Sequence, residues 1–362
     1  MQGGKRPMRV IKTAVIGYGL AGSVFHAPIV SCLEEFDLKA IYTKDSIRSA
    51  AARERYHDTA IVSDVGEIFR DESIELVIVA SLNAYHYELA EKAILAGKNV
   101  IVDKPITIRS QDADRLIALA EEKNVMLSVY QNRRWDGDFL TVKKVKESGM
   151  LGRIVEFESR FDKFRNSNKG NWREENAPGS GQLYDLGPHL IDQALDLFGL
   201  PSAVTADIRT QRECAKTIDN FELILHYDGL KVTLKVGMLV KIPAPRFTLI
   251  GENGSFVKYG LDVQEDDLAS GFTPQNLTNW GQEPEAQYGR ISAIAGGVDF
   301  DGTVISEPGD YREYLKNIHQ VLTGGGELIV KPQQSANNIR IIEQAIRSSE
   351  ERRTVDLEGL YK

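Results

Sequence analysis

The decapeptide NVIVDKPITI at residues 99–108 ends an apolar run on Asp103, Lys104 and Pro105. An amine at the carboxyl end of a buried strand stands where open α/β sheets bind their ligands. Held partly out of water beside a cationic ring, such an amine is disposed to exchange a proton. The plainer alternatives are an ion pair with Asp103 or a surface lysine. A second group lies in YDLGPHLID, where Asp185, His189 and Asp192 fall at i, i+4 and i+7. On one helix these share a face, although Gly187 and Pro188 predict that the helix starts there and leaves Asp185 at its entry. An acid beside an imidazole fixes the tautomer and tunes proton transfer. The alternative is an amphipathic helix with a capping Asp and a core His. No third neutral ligand accompanies the three residues, so no metal site is expected.

A third constellation, Gly17-Tyr18-Gly19-Leu20-Ala21-Gly22, has GxGxxG spacing between an apolar strand and a helix. Glycine is required for physical reasons: the first permits a tight turn, the second admits a pyrophosphate to the backbone N–H groups, and the third allows close helix–strand packing. Dinucleotide binding follows from that context. The second strand ends in Thr43 and Lys44, where sites for NAD usually place an acid. A hydroxyl and a cation suit a 2′-phosphate, so NADP is the preferred cofactor. NAD stays possible, because a shift of one residue would make Asp45 the ribose acceptor.

Around these residues, strand-like runs at Ile11–Gly17, Leu38–Thr43, Leu76–Ser81, Asn99–Val102 and Val125–Val129 alternate with helical periodicity near 22–33, 46–56, 65–71, 86–96 and 110–123. That alternation predicts a parallel, doubly wound Rossmann sheet. After QNRRW the pattern changes. Helices are expected at 139–148 and 182–198, then strands at 154–165, 203–211, 218–227, 230–241, 245–250 and 255–260 without intervening helices. They predict an α+β domain with a largely antiparallel open sheet. Asp228-Gly229 and the GENGSF segment read as hairpin turns. Residues 264–310, rich in Gly, Pro and polar residues, read as a long loop or arm, and helices at 310–322 and 334–350 close the chain. The expected domains are 1–129, binding NAD(P), and 130–362, binding substrate and forming oligomers, with the carboxy-terminal helices able to pack back on the first domain.

Three stretches, the glycine loop, NAYHYELAEKAILAGKNVIVDKP and GQLYDLGPHLIDQAL, together resemble the Gfo/Idh/MocA oxidoreductase family. GYGLAGSVFHAP and SVYQNRRWDGDF are similar in particular to its NADP-dependent inositol dehydrogenase branch. The resemblance implies hydride transfer between a nicotinamide and a secondary alcohol carbon of a cyclic polyol or sugar, with scyllo-inositol the first choice. It also implies that Lys104 is catalytic, that Asp185 and His189 face it from the second domain, and that Ser81, Asn83, His86 and Asp103 lie at the cofactor. Asp103 stands where the family usually has glutamate, which keeps the charge on a shorter arm. The polar–aromatic clusters QNRRW and NWREE offer Asn132, Arg134, Trp172, Arg173 and Tyr184 to substrate hydroxyls.

Composition narrows the partners. Across 362 residues, 42% hydrophobic and 27% charged content is that of an ordinary globular chain. A net charge of −8 with scattered Lys and Arg argues against nucleic acid or anionic membranes. No run reaches the ~18 apolar residues of a membrane span. Residues 1–9 lack the apolar stretch of a secretory signal and read as a disordered lead-in. Two distant cysteines without CxxC spacing fit a reducing, cytoplasmic setting. The family resemblance implies a homodimer or homotetramer. Two other readings stay open: a non-catalytic dinucleotide or sugar sensor on the same fold, and a reductase of a non-polyol substrate.

Overall fold

A computed structural model describes residues 8–361, so the first seven residues of the expected lead-in lie outside it. The first domain is a parallel sheet of β1 (Ile11–Ile16), β2 (Phe36–Tyr42), β3 (Ala60–Val62), β4 (Leu76–Val79), β5 (Asn99–Asp103) and β6 (Leu127–Tyr130). The order is β3-β2-β1-β4-β5-β6. Every residue of β4 and β6 is buried, as expected of strands covered on both faces. The crossovers carry α1 (Ala27–Ser31), α2 (Ser46–Arg55), α3 (Val65–Arg70), α4 (His86–Leu95) and α5 (Ser110–Glu122). Asp45 and Asp64 cap α2 and α3 by accepting backbone N–H groups. The strand order reverses between β1 and β4, which opens a crevice at their carboxyl ends, beside Gly17 and Lys104.

The second domain is a nine-stranded sheet. Its strands are β7 (Ile154–Arg160), β8 (Ala203–Arg209), β9 (Asn220–Tyr227), β10 (Leu230–Gly237), β11 (Phe247–Gly251), β12 (Gly254–Lys258), β13 (Gly289–Ala295), β14 (Val298–Val304) and β15 (Val355–Asp356). They are ordered β14-β13-β12-β11-β7-β10-β9-β8-β15, all antiparallel except the β7–β10 pair. Buried residues alternate with less buried ones along β9, the mark of a sheet packed on one face. The helices are α6 (Gly137–Glu147), α7 (Gly181–Asp185), α8 (Gly187–Phe198), α9 (Gln264–Ala269), α10 (Arg312–Leu322) and α11 (Pro332–Glu351). α11 contacts β8 and α8 of this domain and also α5 and β6 of the first. Ser110 and Glu343 join the domains by two hydrogen bonds of 2.8 and 2.6 Å.

Two expectations need correction. Residues 264–310 are not an unstructured arm: they contain α9 and the edge hairpin β13–β14, turning at Gly296-Gly297. β14 is largely exposed, yet its sequence VDFDGTV alternates apolar and polar residues after the Gly296-Gly297 turn, a period-two signal set among Gly, Pro and polar residues. The helix expected over 182–198 is two helices, with the break between Asp185 and Gly187. β3 and β15 pair only through three and two residues, too few for a periodic signal.

Candidate active site

The cleft between the domains encloses about 200 Å³. One wall comes from the first domain: Leu20, Ala21 and Phe25 after the glycine loop, then Asp103, Lys104 and Tyr130 at strand ends. The facing wall includes Asp185, Leu186 and His189 from α7 and α8, with Phe161, Lys163 and Arg165 following β7.

Lys104 enters at the end of β5, and its peptide bond to Pro105 is cis. Its Nζ donates to the Asp185 carbonyl at 2.5 Å and to Asp185 Oδ1 at 3.2 Å. Arg173 Nε donates to the same Oδ1 at 3.1 Å. Burial pushes the Asp185 carboxyl up, and the Lys104 and Arg173 cations overcome it, so that its pKa stands at about 2. At neutral pH Asp185 therefore has no proton to give. His189, on the next turn, is held well below the usual imidazole range, first by burial and then by the Lys104, Arg133 and Arg246 cations. It is neutral at neutral pH, and its Nδ1 has no hydrogen-bond partner.

The glycine loop fits a dinucleotide. Gly17 has φ +106°, and a Cβ there would lie 2.5 Å from the Ala80 carbonyl oxygen. A Cβ on Gly22 would run into the Gly17 carbonyl. At Gly19 the nearest atom to such a Cβ is Arg48 Nη1, 3.8 Å away, so this backbone is open to a phosphate. Asp45 accepts the Arg48 N–H at 3.0 Å as the cap of α2. Thr43 is buried, and its hydroxyl accepts the Asp45 N–H at 3.3 Å. Lys44 is exposed beside them.

Of the other expected residues, Asn132 and Arg173 line the cleft. Arg134 does not: it is buried, with Nε and Nη2 donating to the two oxygens of Asp192 at 2.7 and 2.8 Å. Asp192 is thereby spent on Arg134 rather than sharing a face with Asp185 and His189 at the cleft. Tyr184 donates to the Ile108 carbonyl at 3.4 Å, and Trp172 carries the Arg173 guanidinium over its ring at 4.9 Å; neither is a lining residue. His86 is fully buried, its ring nitrogens 2.7 Å from the Pro105 carbonyl and 3.2 Å from that of Ser81. It braces the chain after Lys104. Asn83 donates to the Gly179 carbonyl at 2.8 Å. Arg48, Arg133, Lys163, Arg165 and Glu265 belong to no motif of the sequence that marks them as site residues, yet Arg48 lies at the loop and the others in the cleft. Phe161, Lys163 and Arg165 are spaced by two, a signal for one face of extended chain. Among the described residues no group of three or more His, Cys, Asp or Glu could hold a metal ion, and no helix is long and apolar enough to cross a membrane.

Comparison with known proteins is consistent along the whole chain. Residues 11–131 match the profile described as oxidoreductase family, NAD-binding Rossmann fold, and 143–357 that of the C-terminal alpha/beta domain of the same family. The chain is 41% identical over 355 residues to the scyllo-inositol 2-dehydrogenase (NADP(+)) IolW of Bacillus subtilis, covering 98% of each. It is 39% identical to the uncharacterized oxidoreductase YdgJ of Escherichia coli, covering 96% of this chain and 99% of that one. Among solved structures, the oxidoreductase yvaA of Bacillus subtilis superposes with a TM-score of 0.93 at 40% identity, covering 98% of this chain and 100% of that one. With the glycine loop and Lys104 on one wall of the cleft and Asp185 and His189 facing them, the chain belongs to the Gfo/Idh/MocA family of NAD(P)-dependent oxidoreductases.

Proposed function

We propose that the protein interconverts a secondary alcohol of a cyclic polyol or sugar and its ketone with NADP(H), with scyllo-inositol and its ketone as the first substrate pair. The carrying observation is the Lys104 amine, fixed by Asp185 at the mouth of the dinucleotide crevice. When bound, the nicotinamide supplies or takes the hydride. An ammonium has three donors; Asp185 engages Lys104 through its carbonyl and Oδ1, and the remaining N–H is free for the substrate oxygen. In ketone reduction Lys104 is the proton donor, because Asp185 stays ionised and His189 stays neutral and neither has an acidic proton to give. His189 then contributes a neutral ring to the cleft wall, while Asn132 and Arg173 read neighbouring hydroxyls. The relationship to IolW supports the polyol reading. Following nicotinamide absorbance across a panel of inositols, sugars and simple alcohols tests it; equal turnover of simple aliphatic alcohols would contradict it.

Preference for NADP(H) rests on Thr43, Lys44 and Arg48, with Asp45 engaged as a helix cap. A charge-assisted contact to the 2′-phosphate contributes about 1.5–3 kcal/mol, or one to two decades of affinity. Arg48→Ala combined with Lys44→Ala is expected to weaken NADPH binding by that amount and leave NADH binding nearly unchanged. Fluorescence titration of both reduced cofactors checks this, and equal NADH affinity in the parent protein would overturn it. Both cysteines are free, which supports a reducing, cytoplasmic setting. Exposed Ile250, Ile294 and Phe300 on the second sheet support a homo-oligomer.

A further inference from the structure

The helix leaving the glycine loop is irregular. Residues Ala21–His26 wind as a π-helix, with the Ala27 N–H donating to the Gly22 carbonyl five residues back. Such turns are rare and frequently occur at functional sites. This one ends at His26, whose side chain is 2% exposed and whose Nε2 lies 3.7 Å from Asp103 Oδ1. The ring packs on Tyr130, with centroids 4.4 Å apart. Neither His26 Nε2 nor the Tyr130 hydroxyl has a hydrogen-bond partner, and unpaired buried polar atoms are costly and uncommon.

Asp103 joins this pocket to the lysine. The oxygen facing His26 also accepts the Lys104 backbone N–H at 2.9 Å. Burial pushes the Asp103 carboxyl up, and the His26 ring and the Lys104 ammonium hold it below the ordinary carboxylate range. The turn carrying Lys104 is therefore held on one side by Asp103 and on the other by His86, 2.7 Å from the Pro105 carbonyl. Only the His26 link is open. At 3.7 Å it is several tenths of an ångström longer than a hydrogen bond, and a slight shift of the helix behind the glycine loop would close it.

We infer that His26 is a positioning residue that closes on Asp103 Oδ1 and so ties the seating of the dinucleotide loop to the orientation of Lys104. The inference rests on the reading of Lys104 as the proton donor. It accounts for a buried histidine whose Nε2 has no hydrogen-bond partner, and for the aspartate placed directly before the lysine.

Steady-state kinetics with NADPH and the ketone of scyllo-inositol test it with three variants. His26→Phe keeps the ring packing on Tyr130 and removes the nitrogen. It is expected to lower kcat by up to about 10²-fold, the scale of a reacting group misplaced by about an ångström, while the NADPH Kd and substrate KM stay near their parent values. His26→Gln, whose amide can still donate to Asp103, is expected to recover most of the loss. A normal kcat in His26→Phe would overturn the inference. So would equal losses in both variants, or a fall in NADPH affinity matching the fall in kcat, since each assigns His26 to the fold of the loop. Lys104→Met is the control that separates the two readings. If it turns over normally, the reading of Lys104 itself fails; if it is inactive while His26→Phe is normal, only the role of His26 fails.

Discussion

Lys104→Met is expected to lower turnover by about 10²–10⁴-fold, the scale of removing a positioned acid or base, while NADPH affinity and the unfolding midpoint barely move. The thioether keeps the length and apolar stem of the lysine and deletes only the ammonium. Two bonds to Asp185 are lost with it, the backbone carbonyl at 2.5 Å and Oδ1 at 3.2 Å. Asp185 retains Arg173 at 3.1 Å, so its carboxylate is not left uncompensated. The fold is spared for a second reason, because the side chain lies in a cleft rather than in either core. Near-normal turnover with normal cofactor affinity would make Lys104 a structural partner of Asp185 and remove the basis of the proposed chemistry.

Arg134→Met is expected to act in the opposite sense, costing about 3–5 kcal/mol of stability, typical of breaking a buried ion pair by removing one partner, with little effect on substrate KM. Asp192 would be left with a side chain 2% exposed and only Asn338 Nδ2, at 3.4 Å, in place of the guanidinium. Gln334 and the Ile329 carbonyl would lose donors as well. Replacing both partners, Arg134→Met with Asp192→Leu, is expected to recover a large part of the loss, since the apolar pair leaves neither charge unpaired and Asp196, which also faces Arg134, keeps Lys143 at 2.8 Å. Denaturant unfolding of the single and the double variant checks this. A large rise in KM with unchanged stability would return Arg134 to the substrate.

These two residues mark what sequence could and could not reveal. Lys104 was legible because three independent regularities converge there: a buried apolar run, a proline ending the ladder and a glycine fingerprint placing the ligand at strand ends. The pairing of Asp185 with His189 comes from the family resemblance, since the residues alone fit an amphipathic helix with a capping Asp and a core His, whereas the start of a helix at Gly187 follows from Gly-Pro chemistry. Arg133 and Arg134 were not separable, because both lie in the short turn Asn132–Trp135. Such a turn sends successive side chains in different directions: Arg133 packs over Phe161 at the cleft, and Arg134 turns into the core toward Asp192. The ambiguity at Asp45 had the same origin, since only the capping bond shows that its carboxylate is engaged. The β13–β14 hairpin does carry a period-two pattern around Gly296-Gly297, but the Gly, Pro and polar content of the flanking 264–288 and 305–310 outweighs it over the whole stretch. His26 stands four residues past the last glycine of the GxGxxG spacing, and nothing in that spacing announces a contact with Asp103.

The destination of the hydride is the most direct test of the proposed reaction. NADPH deuterated at the transferring position of nicotinamide C4, incubated with the ketone of scyllo-inositol, should deliver its label to the carbinol carbon of the product, seen as a deuterated inositol by mass spectrometry. Label retained in the nicotinamide, with no deuterated polyol under conditions where the cofactor is bound, would contradict it.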